Sequence, residues 1–178
     1  MSYTAALHQH RLAAWCASTA ARASKYCRFE VEKGIRTLEG VGFDHGFGLA
    51  NLPAIPDIDT EHEKWRKAII VSAGRQSIDG FTHGVAAKLI NCYLKVRFVC
   101  GPYWADPRVR ALQPPIDRVL LKRLAKANAG GHASIWREAR DWGWSLFTSE
   151  IYQKVIDHVR RVADNEMWKI EEYWQGYQ

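Results

Sequence analysis

Apolar residues recur along most of this chain at helical rather than strand spacing. In the alanine-rich stretch 4–26, Leu7, Leu12, Trp15, Ala20 and Ala23 fall at loose helical intervals, with Arg11, Arg22 and Lys25 on the other side; this predicts a long first helix. Phe29 to Leu38 predicts a shorter one, closed by Gly40-Val41-Gly42. Thr60-Glu61-His62-Glu63 has the form of a capping box, opening a helix through Trp65, Ile69 and Ile70 to about Ala73 and leaving His62 in a solvated first turn. A turn or short helix over Ser77–Phe81 leads to Thr82, a candidate N-cap. The helix after it carries Val85, Leu89, Cys92 and Val96 in one stripe, widened by Ile90 and Tyr93.

Pro115 suits the first position of a further helix, which places Asp117 in its first turn, where the helix dipole favours a carboxylate. Val119, Leu120, Leu121 and Leu124 form its apolar side, and Arg118, Lys122, Arg123 and Lys126 its basic side, up to the stop at Asn128-Ala129-Gly130-Gly131. From Ser149 to Ala163, Ile151, Val155, Ile156 and Val159 define a last helix, expected to pack back on the one that begins after Thr82. Alternation of the β type is scarce, so the fold class is all-α: one compact helical domain over 1–178. Pro53 to Asp59 is a candidate boundary between an N-terminal helical pair (1–52) and the remainder (59–178).

Composition changes this picture only in part. An apolar content of 47% with 25% charged residues fits a globular core, and the net charge of +6 favours an acidic partner such as nucleic acid. Cys16, Cys27, Cys92 and Cys100 lack the paired spacing of a zinc ribbon or an iron–sulfur site and read as buried, reduced thiols. Asp44-His45-Gly46-Phe47-Gly48 lacks the lysine or acidic ligand set of a phosphate or metal loop and reads as a plain loop. Five of the eight tryptophans lie beyond residue 133, which points to core burial with one ring available to wall a pocket. No apolar run is long enough for a bilayer, so a soluble, cytoplasmic monomer without membrane association is expected.

The candidate chemistry centres on Lys88 and Asp117. Lys88, Asn91 and Lys95 share one helical face within an otherwise apolar helix. Taken singly, Lys88 also suits a snorkelling lysine at the rim of a buried helix, and Asp117 a helix-start charge. Taken together, Gly84-Val85-Ala86-Ala87-Lys88-Leu89-Ile90-Asn91-Cys92 and the later Pro115-Ile116-Asp117 resemble the helix-hairpin-helix DNA glycosylases, and among them the 8-oxoguanine DNA glycosylases. The lysine-to-aspartate spacing, and Lys95 seven residues after Lys88, are similar to the archaeal branch. The likeness covers roughly a quarter of the chain. Ala86 stands where a second glycine is usual, and nothing in the first 80 residues reads as the antiparallel sheet domain of larger members.

The resemblance implies a helical domain built around a helix-hairpin-helix element, acting on damaged duplex or single-stranded DNA without metal or cofactor. It makes Lys88 the nucleophile that expels an oxidised purine through a Schiff base, with strand nicking by β-elimination, and Asp117 the essential carboxylate. The hairpin residues Thr82, His83 and Gly84, together with Lys95 and Arg118, become candidate DNA contacts. Phe81, Tyr103 and Trp104 become candidates to hold the extruded base. The competing reading is a helical nucleic-acid-binding or interaction protein that keeps the scaffold without the chemistry.

Overall fold

The structure is a computed structural model describing residues 2–175, and among these residues it contains helices and turns but no strand. The main helices are α1 (Ala5–Ala21), α2 (Val31–Glu39), α3 (Ile58–Arg75), α4 (His83–Leu94), α5 (Pro107–Arg110), α6 (Arg118–Ala127), α7 (Ala133–Trp142) and α8 (Ser149–Ala163). A π-helical turn over Lys95–Val99 prolongs α4, and a 3-10 turn over Met167–Tyr173 follows α8. No helix among the described residues is long and apolar enough to cross a membrane.

Helix α4 is the axis of the molecule. It is buried on almost every side, and its most extensive contact is with α1. That contact is made by the small residues of α1: Ala13, Ala14, Ala17 and Ala21 are fully buried, whereas Leu12 and Trp15 face solvent. The face expected from its larger side chains is therefore the wrong one. Alanine allows two helix axes to approach closely, and the bulk needed to fill the space comes from Val85, Leu89 and Tyr93 of α4.

Two apolar clusters flank this axis. One joins α1, α2, α3 and most of α4; the other joins α6, α7, α8 and the turn after α8, meeting α4 at Ala87. Leu52, before the proline-punctuated connection, and Ile69, after it, belong to the same cluster, so that connection does not separate two cores. The seam lies instead along α4, between residues 112 and 116 of the chain.

Helix α3 starts at Ile58, two residues before Thr60, so Thr60 lies inside the helix and forms no capping box. The shift turns His62 inward. Its Nε2 lies 2.7 Å from Asn91 Oδ1, its Nδ1 lies 2.7 Å from the Arg66 guanidinium, and its ring stacks on Tyr152. Asn91 donates to the Pro114 carbonyl and to the Tyr152 hydroxyl, each at 2.9 Å, and Tyr152 donates to Gln113 at 2.8 Å. This buried network ties α3, α4 and α8 to the extended segment 113–117. Replacing Asn91 with alanine leaves the Pro114 carbonyl and the His62 ring short of a partner, with an expected loss of about 2–4 kcal/mol in urea unfolding.

Burial and the neighbouring Arg66 push the His62 pKa down from 6.5 to about 3. An unfolded chain takes up this proton as the pH falls through 6.5, while the folded one resists until about 3. The stability that depends on neutral His62 is therefore complete above pH 6.5 and is lost progressively between 6.5 and about 3. Thermal melts should fall over this window by an amount equivalent to a few kcal/mol, and His62→Gln should flatten the fall.

Candidate active site

Lys88 sits on the second turn of α4, and Asp117 is the N-cap of α6. The expected start of α6 is displaced: residues 113–117 are extended, Pro115 precedes the helix, and Asp117 caps it rather than lying in its first turn. The cap fixes the carboxylate. Its Oδ1 accepts from the Leu120 amide at 2.8 Å, while Oδ2 accepts from the Trp174 indole at 3.1 Å and from Lys88 Nζ at 3.0 Å. Twenty-nine residues apart in sequence, the amine and the carboxylate meet as an ion pair, with side-chain exposures of 9% and 20%.

The pair lines a cavity of about 230 Å³ whose other walls are Cys16, Ala20, Cys92, Lys95, Val96, Pro115, Glu171 and Trp174. An apolar cavity of about 150 Å³ already holds a benzene ring, so this one has room for a planar heterocycle. A larger, shallower depression of about 470 Å³, beside Arg123, Lys126 and Tyr173, includes neither Lys88 nor Asp117. Size alone does not mark the site; the charge pair in an apolar wall does.

An ion pair taken largely out of water gains little net stability over a well-packed apolar pair, because desolvation offsets the attraction. Net stability therefore does not by itself account for such a pair at a cavity wall, which marks the place as a candidate site. Across the cavity Lys95 pairs with Glu171, and its Nζ lies 6.0 Å from the centre of the Trp174 ring. On the other side of Lys88, its Nζ lies 5.7 Å from the centre of the Trp144 ring. Burial pushes the Cys92 thiol up to about 11 and raises that of Cys16 as well, so neither is a ready nucleophile near neutral pH.

The other expected site residues are distributed differently. Lys88, Cys92 and Lys95 share the cavity stripe of α4, while Asn91 turns away into the buried network. Thr82 caps α4 as expected, accepting from the Val85 amide, and donates to the Ser145 carbonyl at 2.9 Å. The Gly84 amide donates to the Phe147 carbonyl at 3.2 Å. Two of the first amides of α4 are therefore satisfied internally, and the phosphate clamp expected at Thr82 and Gly84 is closed by the chain itself. His83 is half-buried, and burial with Arg66 lowers its pKa, which disfavours a cationic contact.

Phe81 is buried against Phe29, with ring centres 5.5 Å apart, rather than facing the cavity. Tyr103 and Trp104 are exposed beyond the π-helical turn that ends α4, and neither lines the cavity. Arg118 is exposed beside Asp117 but outside the cavity. The residues that do wall it, above all Trp174 and Glu171, come from the 3-10 turn and C-cap after α8. Only the general density of tryptophan near the end of the chain hinted at them. Among the four cysteines, Cys27 is buried, Cys16 and Cys92 are intermediate and Cys100 is exposed, all as free thiols. Of the late tryptophans only Trp136 is fully buried, while Trp142 is exposed.

Among the described residues, no cluster of three or more His, Cys, Asp or Glu side chains is arranged to hold a metal ion. No protein-family model, curated protein or solved structure matches the chain.

Proposed function

We propose that this protein is a DNA glycosylase with lyase activity, which removes an oxidised purine, 8-oxoguanine in the first instance, through a Schiff base on Lys88. One observation carries the reading: a lysine amine and a capped carboxylate, far apart in the chain, meet at 3.0 Å in the wall of a cavity sized for a heterocycle. The likeness of the two motifs to the helix-hairpin-helix glycosylases supplies the reaction class.

In this mechanism the Asp117 carboxylate takes the proton of the Lys88 ammonium, leaving the free amine to attack the sugar C1′. The C1′–N9 bond breaks, and its electron pair leaves with the base, which takes from Asp117 the proton that Asp117 had accepted and so returns it to the carboxylate form. Asp117 then stabilises the positive charge that develops on the sugar, held in orientation by Trp174 and the Leu120 amide. Loss of the nitrogen proton and opening of the C1′–O4′ bond give the imine. Removal of a C2′ proton expels the 3′ phosphate by β-elimination, and water releases Lys88.

The extruded base enters the cavity against the Trp174 ring, where the Glu171 carboxylate offers an acceptor for base N–H groups and Lys95 a donor for carbonyl oxygens. The test is incubation with a duplex containing 8-oxoguanine and chromatographic detection of the free base. Release by the wild-type protein and loss of release in Asp117→Asn are expected. No release from wild type would remove this substrate from the reading.

A further inference from the structure

A second concavity adjoins the cavity at the ion pair. It has a volume of about 410 Å³ and is lined by the loop after α1, by Arg118, and by the end of α7 with residues 143–145. The two spaces share a wall. Asp117 lines one and the adjacent Arg118 the other, Ala20 lines one and Ala23 the other, and Trp144, beside Lys88, lines the second. The groove is basic: it presents Lys25, Arg118 and Arg140 against the single carboxylate of Asp141. That carboxylate pairs with Arg140 at 2.8 Å and is also within electrostatic reach of Arg118, and among the described residues neither Lys25 nor Arg118 makes a direct ion pair. It is also aromatic, with Tyr26 63% and Trp142 53% exposed.

We propose that this groove, not the turn before α4, docks the DNA strand, with Lys25 and Arg118 on phosphates and the Tyr26 and Trp142 rings against an unpaired base beside the target nucleotide. The proposal rests on the glycosylase reading for the identity of the strand. Its own support is independent of that chemistry. Cations outside direct ion pairs bind the backbone, and exposed rings stack on bases without regard to sequence. The geometry also answers where the strand is held once Phe147 and the Thr82 hydroxyl occupy the first amides of α4. A strand lying in the groove brings its neighbouring nucleotide to Trp144 and Lys88. This favours DNA whose target is already unstacked or unpaired over intact duplex.

The test measures fluorescence anisotropy of a labelled short duplex carrying one unpaired nucleotide, with wild type and three variants, each checked for an unchanged melt. Lys25→Glu/Arg118→Glu should weaken binding at least about tenfold and reduce the slope of log Kd against log salt by about 2. Trp142→Ala should weaken binding about tenfold, with a smaller effect on a fully paired duplex. Arg75→Glu, an exposed charge reversal on α3 outside the groove, should change little. If the groove variants bind as wild type does, or Arg75→Glu is equally impaired, the proposal is overturned. The same is true if wild type prefers an acidic peptide to DNA.

Borohydride trapping on the same samples keeps the two readings apart. Groove-dependent binding without any covalent adduct would retain the groove and remove the chemistry. An adduct formed equally well by the groove variants would do the reverse.

Discussion

Lys88→Gln should abolish both base release and strand nicking, a loss of at least about a thousandfold, while DNA affinity stays within a few-fold of wild type. Glutamine keeps most of the length of the side chain and a donor for Asp117, but has no lone pair that can form an imine. The carboxylate it faces retains the Leu120 amide and the Trp174 indole, so stability should change by only about 1 kcal/mol. This separation of activity from folding and binding is the point of the variant. A role for Lys88 as a phosphate contact predicts a loss of affinity instead, and a rim lysine predicts no loss of activity.

The largest effect on stability is expected from Gly84→Ala. A methyl group there would lie 1.8 Å from the Trp144 carbonyl oxygen, and backbone, unlike a flexible side chain, has no rotamer to escape into. Either α4 or the 144–148 segment must move. The Gly84-to-Phe147 hydrogen bond and the placement of Trp144 beside Lys88 are then lost together. A destabilisation of about 3 kcal/mol or more is expected, which for a domain of this size lowers the melting temperature by on the order of 10 °C. The result distinguishes two reasons for a glycine at this position. A glycine that admits a DNA phosphate would be replaced at the cost of affinity with the melt unchanged; a glycine that admits the chain's own backbone is replaced at the cost of the fold.

Much of the helical architecture was legible because its signals are local. Thr82 caps α4 as its hydroxyl and position suggest, Asn128 stops α6 in a left-handed conformation, and α8 spans Ser149–Ala163 as its apolar spacing indicates. The structure departs from the local signals where tertiary packing overrides them. On α1 the larger residues looked like the inward face, yet the close approach of α4 selected the alanines. At Thr60 a capping pattern lay inside a helix that had begun earlier, which sent His62 into the core. Near Asp117, Pro115 suggests a helix start three residues too soon, because it fits an extended segment equally well.

Lys88, Asp117 and Lys95, which line one cavity, could be named as candidates from sequence, but the rest of its walls could not. Trp174 reaches Asp117 from 57 residues away, and Glu171 reaches Lys95 from 76, through a turn with no distinctive pattern. The aromatic residues between Lys88 and Asp117 in the chain looked better placed for a base, since nearness in sequence was the only measure of nearness available. The π-helical turn after α4 carries Tyr103 and Trp104 out to solvent.

The most direct measurement is borohydride reduction of the protein with DNA carrying 8-oxoguanine, followed by proteolysis and mass mapping of the modified peptide. The account predicts a reduced sugar adduct on Lys88, absent from Lys88→Gln. An adduct on Lys95, which lines the same cavity seven residues further on, or no adduct on a protein that nevertheless releases the base, would contradict it.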